Sequence, residues 1–471
     1  MRRRALLLSI SVLAVLAGCF LWNSQESQSG FTPRADQEVA AEINGATETL
    51  NRLRANIETG EVNEEDYMNL RKAAAKRASS RTKSAPDIQW EEMGPDNIGG
   101  RIRAIYIEDD NTTIWTGGVS GGLWLSTNAG NNWSQITSFP NCMVASINKN
   151  GNGRYYVGTG SLYDSGNGTG ASGFRGRGVY TSTDGVNWEI IADTDPGFLG
   201  GGDWTTCDAL VADPFNGERM WFGSNAGYGY FDGTSTFEGV ASGLNSDIGD
   251  LAIAPDGSYM LAASSNGRIF KSTSTDFLSF ESISDNDDGF VPVSGITRAR
   301  IDISPDDPNH AYVLLSQSGL FGGVFHSANA GAGGSWNNIW PTGVDNVTPL
   351  PRGQGDYDLA LGVKKGDSGL AFVGGIELWK SGPNTQAEQA AFANDFPGSL
   401  FNVHADVHEI QFADNGDMYV ATDGGIYKSI DGGITYTASN RNLNITQFYG
   451  IAYSAGSAVM GGTQDNGSLL I

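Results

Sequence analysis

Only four histidines occur in these 471 residues, and two of them flank an aspartate in His404-Ala405-Asp406-Val407-His408. In extended chain alternate side chains share a side, so His404, Asp406 and His408 point together. Two kinds of chemistry suit that pattern. One is coordination of a divalent metal, which asks for a third strong ligand that the sequence does not supply. The other is a hydrogen-bonded plug in which Asp406 orients a histidine. We expect no metal and no cofactor.

Three more segments carry polar groups of the same kind: Thr422-Asp423-Gly424-Gly425-Ile426-Tyr427, Gln464-Asp465-Asn466-Gly467 and Asn97-Ile98-Gly99-Gly100-Arg101. Glycoside hydrolysis commonly uses two carboxyl groups, ~5–5.5 Å apart for retention or ~6.5–9.5 Å for inversion. Asp423 and Asp465 are the candidate catalytic pair if the chain is a hydrolase. The candidate ligand-binding set is Arg101, His404, Asp406, His408, Asp423, Gln464, Asp465 and Asn466. The competing reading is that each satisfies a local turn or channel water.

A repeat must position these groups. Ser429-Ile430-Asp431-Gly432-Gly433-Ile434-Thr435-Tyr436 recurs from Ser126 to Trp133, Ser182 to Trp188, Ser327 to Trp336 and, in worn form, Ser272 to Phe280. The starting serines are 56, 90, 55 and 102 residues apart, so the long gaps are near twice the short ones, as if two units had lost the phrase. A period of roughly 45–55 residues, with short strands around Gly-rich turns, predicts β-propeller blades. The third residue of the phrase accepts backbone N–H groups across a tight turn. The glycine supplies positive φ, and the closing aromatic packs between units.

Composition agrees with a turn-dense, aromatic-rich β protein. Sixty-five residues are glycine, about twice the usual ~7%, and only 17% are charged. The net charge of −24 makes nucleic acid and anionic membrane surfaces repulsive partners. Arg2-Arg3-Arg4, the apolar run Ala5 to Ala17 and Leu16-Ala17-Gly18-Cys19 read as a signal peptide over 1–19, with Cys19 as the lipidated residue. An ordinary signal peptide or an uncleaved anchor is the alternative. Residues 20–86 read as a polar and helical spacer, with Val39, Ile43, Leu50, Leu53 and Ile57 at helical spacing and a break at Gly60. The propeller occupies 87–471. For Cys142 and Cys207, an exported protein permits a disulfide, and two buried free thiols are the other option. Asp285-Asn286-Asp287-Asp288-Gly289 is dense in oxygen ligands, but no glutamate stands at the twelfth position that a calcium loop requires, so it reads as a solvated loop.

Seven units are readable, with insertions at 162–176 and 381–401, and an eighth begins at Gln447. We expect an all-β fold, a single propeller of seven or eight four-stranded blades preceded by a short helical segment. In the eight-bladed form Trp90-Glu91-Glu92-Met93 supplies the missing outer strand. The repeated phrases then lie on one face. The candidate residues crown the opposite mouth of the channel.

The phrase resembles the Asp-box of the bacterial-neuraminidase (BNR) repeat superfamily, which includes sialidases, xyloglucanase-like hydrolases, sortilin-like receptors and photosystem assembly factors. The resemblance implies a structural role for Ser126, Asn128, Trp133, Ser182, Asp184, Trp188, Ser429, Asp431 and Tyr436. H-A-D-x-H, T-D-G-G-I-Y-K-S-x-D-G-G, T-Q-F-Y-G-I-A and G-G-T-Q-D-N-G look like the large exported propeller proteins of the Bacteroidota labelled glycosyl hydrolase or BNR-repeat. Asp423 resembles the aspartate of the T-D-x-G-G turn in xyloglucanase-like hydrolases, a family that sets its carboxylates across a cleft between two propellers. The sialidase pattern is poorer. Its Arg-Ile-Pro becomes Arg101-Ile102-Arg103, and no Tyr/Glu pair can be assigned. The expected function is binding of a glycan or an extracellular protein by an exported propeller with a lipid on Cys19. It is placed at the cell envelope, outer-membrane-anchored, or secreted. Glycoside hydrolysis is the alternative.

Overall fold

The structure, a computed structural model, describes residues 55–60, residue 73 and residues 93–470 apart from 164–175, 197–202, 234, 238–242, 245–246, 285–294, 341–352, 394–398 and 455–457. The chain divides into a unit spanning 1–79 and a second spanning 80–471. In the first, residues 55–60 form a turn in which the Gly60 N–H donates to Asn56 O at 2.7 Å, with Gly60 at φ 74°. Cys19, the rest of the spacer, most of 162–176 and the Asp285–Gly289 loop lie outside the described residues.

The second unit holds a ring of seven blades, each built from consecutive antiparallel strands, with Asn402–Val403 added in parallel at the edge of blade six. Their innermost strands begin at Ile102, Ser146, Cys207, Ile248, Ile296, Ala360 and Val407. Strands buried on both faces send alternate side chains to opposite neighbours. In blade four, Met260 and Ala262 join a cluster with Trp221 of blade three, whereas Leu261 and Ala263 pack with Val313 of blade five. Such a cluster fills each junction between successive blades. The last cluster joins Ile102, Ile105, Trp124 and Trp133 of blade one to Tyr419, Ala421 and Ile426 of blade seven, and closes the ring. Each fully buried large apolar side chain contributes about 1.5–3 kcal/mol.

The repeated phrase joins the third and fourth strands of blades one, two, four, five and seven. In blade seven, Ser429 Oγ bonds Asp431 Oδ1 at 2.8 Å and accepts from Gly433 N at 2.9 Å, while Asp431 Oδ1 accepts from Ile434 N and Thr435 N. Asn128 and Asp184 take the same part beside Ser126 and Ser182. The closing Trp133 donates from Nε1 to Ser439 O of blade seven at 2.7 Å, and Trp188 meets Trp115 of blade one edge-on. Blades three and six, which lack the phrase, turn in two residues instead, with Asp232 pairing Ser235 and Gly382 pairing Thr385.

Two devices shape the channel. Asn148, Asp250 and Asp302 each accept the next residue's N–H and also bond the innermost backbone of the following blade, at Leu210 O, Ile301 N and Val363 N. In addition, the innermost strands of blades one, three, four, five and seven carry a bulge at the same end. The extra residues are Arg103, Asp208, Gly249, Thr297 and His408, left out of the ladder so that their side chains can be re-aimed.

Several expectations are corrected. Among the described residues the ring closes with seven blades and no eighth. The strands Phe448–Tyr453, Val459–Thr463 and Ser468–Leu470 form a separate three-stranded sheet, because blade one supplies all four of its strands and its core packs directly on blade seven. Residues 90–92 lie outside the described residues, and Met93 is not in a strand. Residues 381–401 are not simply an insertion. Thr385–Ala393 is the fourth strand of blade six, with Ala387 and Ala391 buried among exposed polar neighbours. Cys142 and Cys207 are not joined in a disulfide, Cys207 being buried and Cys142 only partly so.

Candidate functional site

Arg101 immediately precedes the innermost strand of blade one, and Tyr357-Asp358 precede that of blade six. Asp406 and His408 flank the start of that of blade seven. Asp423-Gly424 is the two-residue turn between the second and third strands of blade seven. Its glycines are needed for packing: a Cβ on Gly424 would lie 2.3 Å from the His404 ring, and one on Gly425 would lie 2.2 Å from Asn440 Oδ1.

Asp423 is the centre of the cluster. Arg101 Nε and Nη2 donate to its two oxygens at 2.8 and 3.0 Å. His408 Nε2 lies 2.6 Å from Oδ1, and Tyr357 Oη donates to Oδ2 at 2.6 Å. The side chain is 1% exposed. Burial alone would push this carboxyl up, but the Arg101 charge and the hydrogen bonds from His408 and Arg101 hold it well below the usual carboxylate range. Burial brings His408 down to about 4, so at neutral pH it is an uncharged imidazole giving its Nε2 proton to Asp423, not an ion-pair partner. Tyr357 is wedged between two cations, with the Arg101 and Arg103 guanidinium carbons 4.7 and 5.2 Å from its ring centre.

The turn at 464–467, from the separate sheet, docks on this cluster. His404 Nε2 faces Asp465 O at 3.0 Å, and Asn466 Nδ2 donates to Asp423 O at 3.1 Å. Arg101 Nη2 also reaches Asp465 Oδ2 at 3.5 Å, so the two candidate carboxylates share one donor. Burial and then the Asp423 charge raise the Asp465 carboxyl. Gln464 Nε2 bonds Asp465 Oδ2, and Tyr449, 44% exposed, hydrogen-bonds Gln464.

All eight candidate residues therefore meet in one sector of the mouth. They do not form a metal site of the H-A-D-x-H kind, since His404 and His408 are spent on different partners. Among the described residues no three His, Cys, Asp or Glu side chains are disposed to hold a metal ion. Sequence reasoning missed Arg103, Tyr357, Asp358 and Arg298. The signal that could have found them is positional: each lies at the start of an innermost strand, in step with Arg101 and Asp406. Beneath the mouth the channel is a cavity of about 340 Å3 lined by the interblade carboxylates, Arg298 and Arg300. Arg300 is bound there to Glu409 at 2.6 Å.

No protein-family profile and no curated protein sequence matches the chain. Solved structures do. A GH74 enzyme of Niastella koreensis superposes with a TM-score of 0.56 at 16% identity, over 80% of this chain and 59% of that one. The GH74 xyloglucanase of Xanthomonas campestris gives a TM-score of 0.58 at 14% identity, over 81% and 60%. These likenesses establish the propeller fold, and the chain spans about three-fifths of the length of those enzymes.

Proposed function

We propose that this propeller binds a glycan at the sector of the channel mouth between blade seven and blade one. The observation that carries the reading is the contrast between Asp423, consumed by Arg101, His408 and Tyr357, and the accessible groups above it. Tyr449, an exposed aromatic, hydrogen-bonds Gln464, which in turn bonds Asp465, whose main-chain oxygen faces His404. A flat aromatic next to side-chain amide and carboxylate groups suits a sugar, which presents C–H faces and hydroxyls together. In this reading Asp423 shapes the site and does not touch the ligand. The serine-to-aromatic turns are Asp-boxes on the far face, and a lipid on Cys19 carries the protein on the cell envelope.

A glycan panel tests it. Binding should fall at least roughly tenfold in Tyr449→Ala and in Asp465→Asn, with thermal stability unchanged. Unaltered binding in both variants refutes the site. Cys19→Ser should release the protein from the membrane fraction, and unchanged partitioning refutes lipidation.

Glycoside hydrolysis remains the second reading, favoured by one observation. Asp465 is raised and Asp423 lowered, and neighbouring carboxyls pushed apart in this way can divide acid from base. Release of reducing sugar by the wild type that disappears in Asp465→Asn would establish it over binding alone.

A further inference from the structure

Four aspartates, Asp358, Asp406, Asp423 and Asp465, crowd the same mouth sector, and the Asp423 charge is answered by Arg101. The others are not equally served. Asp358 is fully buried, and neither of its carboxylate oxygens has a hydrogen-bond partner among the described residues. Asp406 is partly exposed on the adjacent blade. Its main-chain N–H donates to Ile376 O at 3.3 Å, but its carboxylate takes no hydrogen bond among the described residues. Asp358 lies two residues before Ala360, which pairs with Gly374, and Ile376, which takes the Asp406 N–H, lies two residues past Gly374, so the two aspartates enter the same end of neighbouring blades. Burial pushes the Asp358 carboxyl well up and the Asp406 charge adds to this, while its own main-chain N–H and Arg298 act the other way. Arg298 itself is turned to main-chain oxygens, at 2.9 Å from Tyr357 O and 3.4 Å from Leu359 O.

A buried carboxylate with both oxygens unanswered is among the costliest groups a fold can hold. It must either keep a proton or receive a cation. We propose that Asp358 and Asp406 together bind a calcium ion at the junction of blades six and seven, with Asp358 as the inner ligand and Asp406 as the outer, solvent-facing one.

The chemistry favours calcium over other ions. Both side-chain ligands are hard oxygens, and two carboxylates neutralise one divalent charge. Magnesium keeps several waters and demands regular octahedral geometry, which a fully enclosed aspartate serves poorly. Calcium accepts irregular shells completed by main-chain carbonyls and water. Two carboxylates with main-chain oxygens also explain why no cluster of three acidic or histidine side chains marks the place. An ion here would tie the start of blade seven to that of blade six, next to Tyr357 and His408. It is separate from the glycan reading and does not depend on it.

Calorimetric titration of chelator-treated full-length protein with CaCl2, alongside thermal melts in calcium and in chelator, tests the site. One calcium should bind, and the melting temperature should rise with it. Asp358→Asn and Asp406→Asn should each weaken calcium binding roughly tenfold or more and abolish the rise. Asp431→Asn, on the opposite face, should leave both intact. Should Asp358→Asn fail to fold, Asp406→Asn decides alone. A wild-type melt that ignores calcium overturns the proposal, as does a response preserved in Asp406→Asn or an equal response to magnesium. Stabilisation by Asp358→Asn without any calcium response would mean that the pair holds a proton, which also overturns it.

Discussion

Blade seven contains the same three letters twice, eight residues apart: Asp423-Gly424-Gly425 and Asp431-Gly432-Gly433. Both carboxyls are held below the ordinary range, for opposite reasons. Asp431 is an exposed residue; what burial it has raises its carboxyl, and hydrogen bonds from Thr435, Ser429 and Ile434, all within four residues, together bring it to about 2. Asp423 is buried, and its partners Arg101, Tyr357 and His408 stand 322, 66 and 15 residues away. The first aspartate builds a turn. The second is a hub on which three blades converge, and its charge is tolerable only because the ring is closed.

The sharpest way to break this contrast is to remove the distant partner. Arg101→Met leaves Asp423 ionised in a buried place without its cation. Breaking a buried pair from one side costs about 3–5 kcal/mol, and denaturant unfolding should show a loss of that size. A loss below about 1 kcal/mol would mean that Asp423 is far better hydrated than its burial indicates.

The same variant should invert a pH dependence. In the wild type the folded Asp423 is depressed relative to the unfolded value of about 3.9. Its contribution is therefore present above that value and is lost as pH falls through the folded one. Without Arg101, burial dominates and the folded carboxyl moves above the unfolded value. Stability is then lost as pH rises. The destabilisation by Arg101→Met should accordingly be greater at pH 7 than at pH 4, read from urea midpoints at the two values. An equal penalty would put the Arg101 effect in packing and not in charge.

Tyr357→Phe is the next step down. It removes one hydrogen bond to a carboxylate that keeps Arg101 and His408, and it retains the ring between the two guanidinium groups. A bond to a charged group is worth about 1.5–3 kcal/mol, and the remaining partners place the loss at the lower end. Glycan affinity should hold if Asp423 only shapes the site.

What was legible in the sequence follows the same division. The serine-to-aromatic turns were readable because the bonds from the opening serine and the third residue that build them are local, and even their absence from two blades showed as doubled spacing. The gathering of His404, Asp406 and Asp423 was readable because blade position fixes which end of a strand meets the mouth, whereas Asp465 reaches them from the separate sheet and not from a blade of the ring. Tyr357 and Asp358 were not, because nothing within their own segment marks them. They matter only through what blade seven brings opposite. The extra sheet misled for a related reason. Phe448–Tyr453 has the apolar character of an innermost strand, yet Ile451 and Tyr453 are 71% and 85% exposed. Whether such a strand enters the ring depends on whether blades one and seven leave a gap, and Trp133 on Ser439 closes it.

The smallest expected effect gives the finest test, the replacement of each aspartate by asparagine. Blade one already uses Asn128 in the place of Asp431, accepting Asn132 N at 3.0 Å and bonding Ser126 Oγ at 2.9 Å. The turn therefore needs a side-chain oxygen at that position and not a charge, so Asp431→Asn should cost no more than about 0.5 kcal/mol, as for an ordinary surface change. Asp423→Asn changes the same atom in a place where three donors converge. Its new amide hydrogens would confront Arg101, His408 or Tyr357, and the buried guanidinium would lose its counter-charge. A gap of several kcal/mol between the two variants in parallel unfolding curves is expected. Similar curves would show that the hub is no more than a second turn.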